Sequence, residues 1–203
     1  MNRALLRKKY LQLRDGLDLR TRERADASIA VHLRCWLATL ELPQAANPIL
    51  ALWWPVGSEP DLRPYFAGFR ALGWTLALPC VISRACALRF ARYDADTTLR
   101  QAAFGIHEPA CPHWVEPSAL AAPCVGFWDG YRLGYGGGYY DRTLAEDVGL
   151  ASRSVAVAYR QSRIAAEDGF VALPLDQRFS AVITEVGTKY SSKALSLPTP
   201  DPE

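Results

Sequence analysis

Short, mostly continuous apolar runs separated by stretches of helical period constrain this chain more than any other feature. The runs are "ILALWWPV" (49–56), "WTLALPCV" (74–81), "AAPCVGFW" (121–128), "RSVAVAY" (153–159) and "SAVITEV" (180–186). A strand covered on both faces has this texture. "SEPDLRPYFAGFRALG" follows the first run and reads as a helix, with Ser58 as its cap and Gly73 as its end. "DRTLAEDV" opens another helix, and "ALRFARY" (87–93) reads as a further strand. Strands alternating with helices imply an α/β fold: a mostly parallel sheet with helices on both faces.

Two helices precede the sheet. Residues 3–17 place Leu6, Tyr10, Leu13 and Leu17 in one apolar stripe. Arg3, Arg7 and Arg14 fall within roughly 40° of one another beside it, at about 100° per residue. This is either a solvated rim or a row of guanidiniums aimed at something. The second helix spans 19–40, with Asp18 at its N-cap and Ile29, Leu33, Trp36 and Leu40 facing inward. Residues 104–118 read as a loop. The Ser- and Pro-rich stretch 188–203 reads as a frayed tail, which leaves 1–187 as a single domain.

With 203 residues and a net charge of +2, nothing global argues for nucleic acid. The 19 Arg against 4 Lys favour bidentate recognition of phosphate or carboxylate, or else reflect genome composition. No run approaches the roughly 18 apolar residues of a membrane span, and the N-terminus has no signal core. Five cysteines without a C-x-x-C pair point to reduced thiols and a cytoplasmic protein. Cys111, His113 and Cys124 match no common zinc spacing.

"YRLGYGGGYYDRTL" (131–144) carries the chemistry. Consecutive glycines let backbone N–H groups curl around an anion, and a helix starting behind them adds positive potential. Arg132 and Arg142 bracket the loop as phosphate clamps. Asp141 is placed to hold a Mg²⁺ on the phosphoryl oxygens. The loop lacks the Gly-Lys-Ser/Thr of a Walker A motif, and Tyr139 breaks the dinucleotide glycine pattern.

"RLGYGGGYYDR" resembles the signature of the 5-formyltetrahydrofolate cyclo-ligase family. "RALLRKKYLQLR", "WWPVGSEPDL", "LPCV", "FGIHEP" (104–109) and "PLDQRFSAVITE" (174–185) resemble further family segments in order, so the likeness runs from about Arg3 to Glu185. The resemblance implies a three-layer α/β/α sandwich of the NagB/RpiA/CoA transferase-like kind. It implies an enzyme that uses ATP and Mg²⁺ to convert 5-formyltetrahydrofolate to 5,10-methenyltetrahydrofolate. Carried over by position, Arg3, Arg7 and the loop Arg132, Leu133, Gly134, Tyr135, Gly136, Gly137, Gly138, Tyr139 and Tyr140 would bind ATP. Arg132 and Arg142 would be catalytic, Asp141 and Asp176 would hold the metal, and Trp54 and Glu59 would contact the folate. Trp53 and Phe104 are further stacking candidates, or core. The partners would be small molecules only, with no nucleic acid or membrane, and the chain a monomer. The sequence departs from the family pattern at Arg3 and Gly137, where relatives carry Lys, at Leu175, where His is frequent, and in the shortened "FWDGYR". Two other readings stay open: an ATP-dependent ligase or kinase with another acceptor, and a non-catalytic nucleotide- or folate-binding module.

Overall fold

Asn2 and Asp18 start the first two helices. Each has extended backbone and a side chain that accepts an amide of the first turn, from Ala4 and Thr21. The helices are α1 (Arg3–Asp15) and α2 (Leu19–Leu37). The computed structural model describes residues 2–42, 47–102 and 105–191. Phe104 lies outside the described residues, as does the tail beyond Ser191.

The sheet that follows is built from β1 (Ile49–Ala51), β2 (Thr75–Cys80), β3 (Arg89–Tyr93), β6 (Trp114–Val115), β7 (Ala119–Pro123), β10 (Ser154–Val157), β11 (Ala181–Thr184) and β12 (Gly187–Tyr190). Between these lie α3 (Phe66–Ala71), the strands β4 (Leu99–Gln101) and β5 (His107–Pro109), the hairpin β8 (Gly126–Trp128) and β9 (Tyr131–Leu133), and the helices α4 (Tyr139–Glu146) and α5 (Val148–Ser152). The strand order is β12-β11-β10-β7-β1-β2-β3-β6. The five central strands are parallel, and β12, β3 and β6 run antiparallel to their neighbours.

Period-two burial makes the layers. Leu50, Ala119, Ala121, Val155, Val157, Ala181 and Ile183 meet Ile29, Leu33, Trp36, Phe66 and Phe69 from α2 and α3. The alternate residues Ala51, Leu120, Ala122, Ala156 and Val182 meet Leu144 and Leu150 from α4 and α5. The result is a three-layer α/β/α sandwich. A third cluster joins Leu6 and Tyr10 of α1 to Val125, Leu133 and Ile164.

Chain order places a topological switch point between β1 and β7. From β1 the chain crosses to β2 on one side, and from β7 it crosses to β10 on the other. The crevice outside the carboxyl ends of two such strands is where open α/β sheets bind ligands.

Four expectations are corrected. The first apolar run pairs only as far as Ala51. Residues 58–62 are not helical: Pro60 and Pro64 break the pattern, and only a 3-10 turn (Arg63–Tyr65) and α3 form. The 121–128 run is not one strand feeding the glycines. It splits into β7 and β8, because Asp129 (φ 43°) and Gly130 (φ 82°) make a tight turn that folds β8 back on β9. Residues 188–191, read as the start of the frayed tail, are ordered. The first three pair with β11, and Ser191 holds Phe179 and Ser180 carbonyls.

The core also buries a carboxyl. Asp26 of α2 is 7% exposed and accepts the Tyr159 hydroxyl at 2.9 Å. Burial pushes its pKa up to about 6. The folded state therefore holds this proton more tightly than the unfolded chain does. The resulting stabilisation is complete below about pH 4 and is lost as pH rises through about 6. Asp26→Asn should remove that dependence. The wild-type minus variant unfolding free energy is expected to fall by about 3 kcal/mol between pH 4 and pH 7. A flat difference in denaturant titrations would contradict it.

Candidate active site

The glycine loop, residues 134–138, joins β9 to α4 beside the β1–β7 crevice. Gly136 has φ 102°, a region closed to residues with a Cβ. At Gly134 a Cβ would sit 2.6 Å from Arg132 Nη1, so this guanidinium lies against the loop backbone. Helix α4 begins at Gly138 with no side-chain cap. Its first backbone bond runs from the Arg142 amide to the Gly138 carbonyl. The amides of Tyr139, Tyr140 and Asp141 therefore form an electropositive helix start without an intrahelical partner.

The three arginines of α1 each reach a different part of this region. Arg7 Nε donates to the Gly134 carbonyl at 2.8 Å. Burial, with Arg3 nearby, lowers its pKa from the ordinary value. Arg3 forms a two-pronged ion pair with Asp176 and also donates to the Val171 carbonyl at 3.0 Å. Arg14 is 2% exposed. Its Nε donates to Ser58 Oγ at 2.9 Å and its Nη2 to the Tyr135 hydroxyl at 2.6 Å. The stripe read as a possible solvated rim is a row of anchors to three separate segments.

Arg132 and Arg142 behave differently from a matched pair of clamps. The Arg132 side chain is 8% exposed, with its guanidinium over the Tyr140 ring at 4.7 Å and 4.0 Å from Asp141 Oδ2. Its Nη1 donates to the Pro123 carbonyl at 3.1 Å, and its buried Nε has no partner among the described residues. Arg142 donates to the carbonyls of Arg84, Cys86 and Gly137, so it ties the loop to the β2–β3 connection.

The Asp141 carboxylate reaches the segment that carries Asp176. Asp141 Oδ1 accepts the Gln177 amide at 3.2 Å, one residue from Asp176. Asp176 accepts Arg3 and the Leu173 amide. Two carboxylates beside an anion cradle suit a hard, oxygen-seeking cation such as Mg²⁺, which takes one or two carboxylates and completes its shell with phosphate oxygens and water. Among the described residues no cluster of three or more His, Cys, Asp or Glu is placed to hold a metal. Cys111 is exposed, while Cys124 is buried with its thiol pushed up to about 12.

The connection after β1 supplies the opposite wall. Glu59 is 6% exposed and accepts the Val56 amide at 3.0 Å. Burial raises its pKa above the usual carboxylate range. Trp54 carries Arg63 over its ring at 4.9 Å and meets Tyr93 and His107 at its flanks. Trp53 is core, 4% exposed. A hollow of about 220 Å³ at the turn end of the β8–β9 hairpin, lined by Trp128, Asp129, Arg163 and Lys189, includes none of the expected site residues.

Sequence reasoning put forward neither Arg14 nor Ser58 as a site residue, and it missed Asp15, which accepts the Ser58 hydroxyl. The available signal for Arg14 was its place in the arginine stripe. Gly136→Ala should strain the loop and press on Arg7, whose guanidinium lies 3.3 Å from the added Cβ. Expected is a loss of about 1–2 kcal/mol in denaturant unfolding, with weaker nucleotide binding by calorimetry. Unchanged values for both would contradict the loop geometry.

The profile of the 5-formyltetrahydrofolate cyclo-ligase family matches residues 1–168. The 5-formyltetrahydrofolate cyclo-ligase of Mycolicibacterium smegmatis is 30% identical over 194 residues, covering 90% of this chain and 93% of the relative. That of Haemophilus influenzae is 29% identical over 169 residues, covering 80% and 88%. The NMR structure of Aquifex aeolicus 5,10-methenyltetrahydrofolate synthetase superposes with a TM-score of 0.74 at 29% identity, covering 98% of this chain and 97% of that one. The 5,10-methenyltetrahydrofolate synthetase from Mycoplasma pneumoniae gives 0.68 at 25% identity, covering 91% and 99%. By the profile match over most of its length and by these relatives, the chain belongs to the 5-formyltetrahydrofolate cyclo-ligase family.

Proposed function

We propose that this protein closes the 5,10-methenyl ring of 5-formyltetrahydrofolate at the expense of ATP, and that the β1–β7 crevice is where it does so. The observation that carries the reading is the junction of two unlike walls. One is a donor-rich glycine loop and helix start fit for phosphates. The other, tied to that loop through Arg14 and Ser58, is the segment that carries the buried Glu59 carboxylate and the half-buried Trp54, fit for a flat, hydrogen-bonding ring.

The N5-formyl carbon is deactivated by amide resonance. Its oxygen attacks the γ-phosphorus of ATP, ADP leaves, and an iminium-like phosphate forms. N10 of the same folate attacks the carbon and loses its proton, and phosphate departs with the former formyl oxygen. No covalent bond to the protein is needed, and the protein's part is alignment and charge neutralisation. The amides of Gly136–Asp141 and the guanidiniums of Arg3, Arg7 and Arg132 receive the triphosphate. Leu133, Gly134, Tyr135, Tyr139 and Tyr140 shape its bed. Arg142 braces the loop through the three carbonyls it holds. Glu59 accepts N–H groups of the pterin edge, and Trp54 packs against the ring system.

Asp141 and Asp176 are the residues that would hold Mg²⁺, which supplies charge neutralisation between the transferring phosphoryl oxygens. Arg3 neutralises Asp176 in the structure. Nucleotide binding lets Arg3 exchange this carboxylate for phosphate and frees the Asp176 lone pairs. The protein acts on small molecules as a cytoplasmic monomer. Five free cysteines accord with a reducing compartment, and no described helix is long and apolar enough to cross a membrane.

Mixing the protein with ATP, Mg²⁺ and 5-formyltetrahydrofolate should produce the methenyl chromophore only when ATP is present. ATP consumed with another acceptor, or binding without turnover, would overturn the reading. Arg132→Ala should lower kcat/KM by roughly 2–4 kcal/mol in transition-state stabilisation, and near-normal turnover would remove Arg132 from the phosphate site. Glu59→Gln should raise the folate KM more than the ATP KM, whereas equal effects would reject it as a folate contact.

A further inference from the structure

The glycine loop reads Gly-Tyr-Gly-Gly-Gly, so between Leu133 and Tyr139 it has a single side chain, Tyr135. This ring is 54% exposed, an unusual place for a tyrosine with a committed hydroxyl. Yet the hydroxyl reaches inward to Arg14 Nη2 at 2.6 Å, and the Arg14 guanidinium lies 5.8 Å from the ring centre. Arg14 is almost fully buried and spends its other donors on Ser58 Oγ at 2.9 Å and the Cys124 carbonyl at 3.5 Å. Ser58 in turn donates to Asp15 and is the immediate neighbour of Glu59.

A phenol has one proton to give. Arg14 has only donors, so the Tyr135 oxygen must accept from it, and the Tyr135 proton is free to point elsewhere. The same guanidinium that holds this hydroxyl also holds Ser58, the residue before Glu59. Glu59 already holds the Val56 amide on Oε2, and a carboxylate keeps about four lone-pair positions. Room therefore remains for a ligand on the same group. A hydrogen-bonded chain runs from the glycine loop, through the Tyr135 hydroxyl and the Arg14 guanidinium, to Ser58 beside the buried carboxylate of the facing segment.

We propose that Tyr135 is a positioning residue which, anchored by Arg14, couples the two substrate subsites, so that filling either one tightens the other. The coupling rests on the ring-closing function proposed above. A folate that engages Glu59 holds the adjoining Ser58, and with it the Arg14 guanidinium, in place, and this fixes the tether that Tyr135 gives the loop. The loop then stands ordered for the triphosphate, and the nucleotide finds it pre-arranged. Loop closure around ATP returns the effect by holding Glu59 in its accepting orientation. The reciprocal effect must be equal in size, because it is one coupling free energy.

The test is bisubstrate steady-state kinetics on the full chain, varying ATP at several fixed 5-formyltetrahydrofolate concentrations in Mg²⁺ buffer. In wild type the ATP KM should fall as folate rises, by on the order of 5-fold or more. Tyr135→Phe keeps the half-exposed ring and removes only the hydroxyl. It should bring that ratio to about 1, with the thermal midpoint close to wild type. Arg14→Lys can serve Ser58 or Tyr135 but not both, and should reduce the ratio partly. A purely structural hydroxyl would shift both KM values or stability while leaving their interdependence intact. Full interdependence in Tyr135→Phe overturns the proposal, as does a wild type whose ATP KM ignores folate. Absence of the methenyl chromophore from wild-type protein would instead remove the functional reading, and the bridge with it.

Discussion

A guanidinium shut away from water must be surrounded by acceptors, and at Arg14 those acceptors come from three separated parts of the chain. Ser58 belongs to the connection after β1, the Cys124 carbonyl to the segment after β7, and Tyr135 to the glycine loop. Losing the buried Ser58 acceptor would cost about 1.5–3 kcal/mol, whereas at the half-exposed Tyr135 end water can take the place of a lost hydroxyl. The two adjacent parallel strands bring their carboxyl ends together, and Arg14 fixes what leaves those ends. The phosphate-facing and ring-facing walls of the crevice are thereby held in one geometry.

The electrostatics around that junction are arranged as exchangeable pairs. Arg3 sits on Asp176, Arg132 sits near Asp141, and Arg7 sits on a loop carbonyl. Without a polyanion each positive group has a partner, so the site carries no large unpaired charge. In the proposed function, a triphosphate with its cation would offer partners to both signs at once: phosphate for the guanidiniums, and cation for the carboxylates. Arg142 differs, because three backbone carbonyls take its Nε and Nη2 donors. In the structure its contribution is to hold the loop.

Much of this was legible beforehand. Apolar runs without alternation predicted strands buried on both faces, and the strict division of Leu50 and Ala51, or Ala121 and Ala122, between two clusters shows why. Asp18 as a cap was readable because its side chain needs only local geometry. Local pattern failed where two elements share one apolar run. In "AAPCVGFW" the break comes from the Asp129–Gly130 turn beyond it, which recruits Phe127 and Trp128 into a hairpin. It failed again at Ser58, where a capping residue before two prolines serves a distant arginine and not a helix. The roles of Arg3, Arg7 and Arg14 could not be separated from spacing, since one helical stripe looks the same whether it faces water or three different chain segments.

The account depends on the glycine loop and the β1–β7 crevice receiving the triphosphate. The most direct measurement is a crystal structure with a non-hydrolysable ATP analogue and Mg²⁺. It should show the phosphates on the amides of residues 136–141 and Arg3 turned from Asp176 onto a phosphoryl oxygen. Nucleotide bound elsewhere, with the Arg3–Asp176 pair intact and the loop empty, would contradict it.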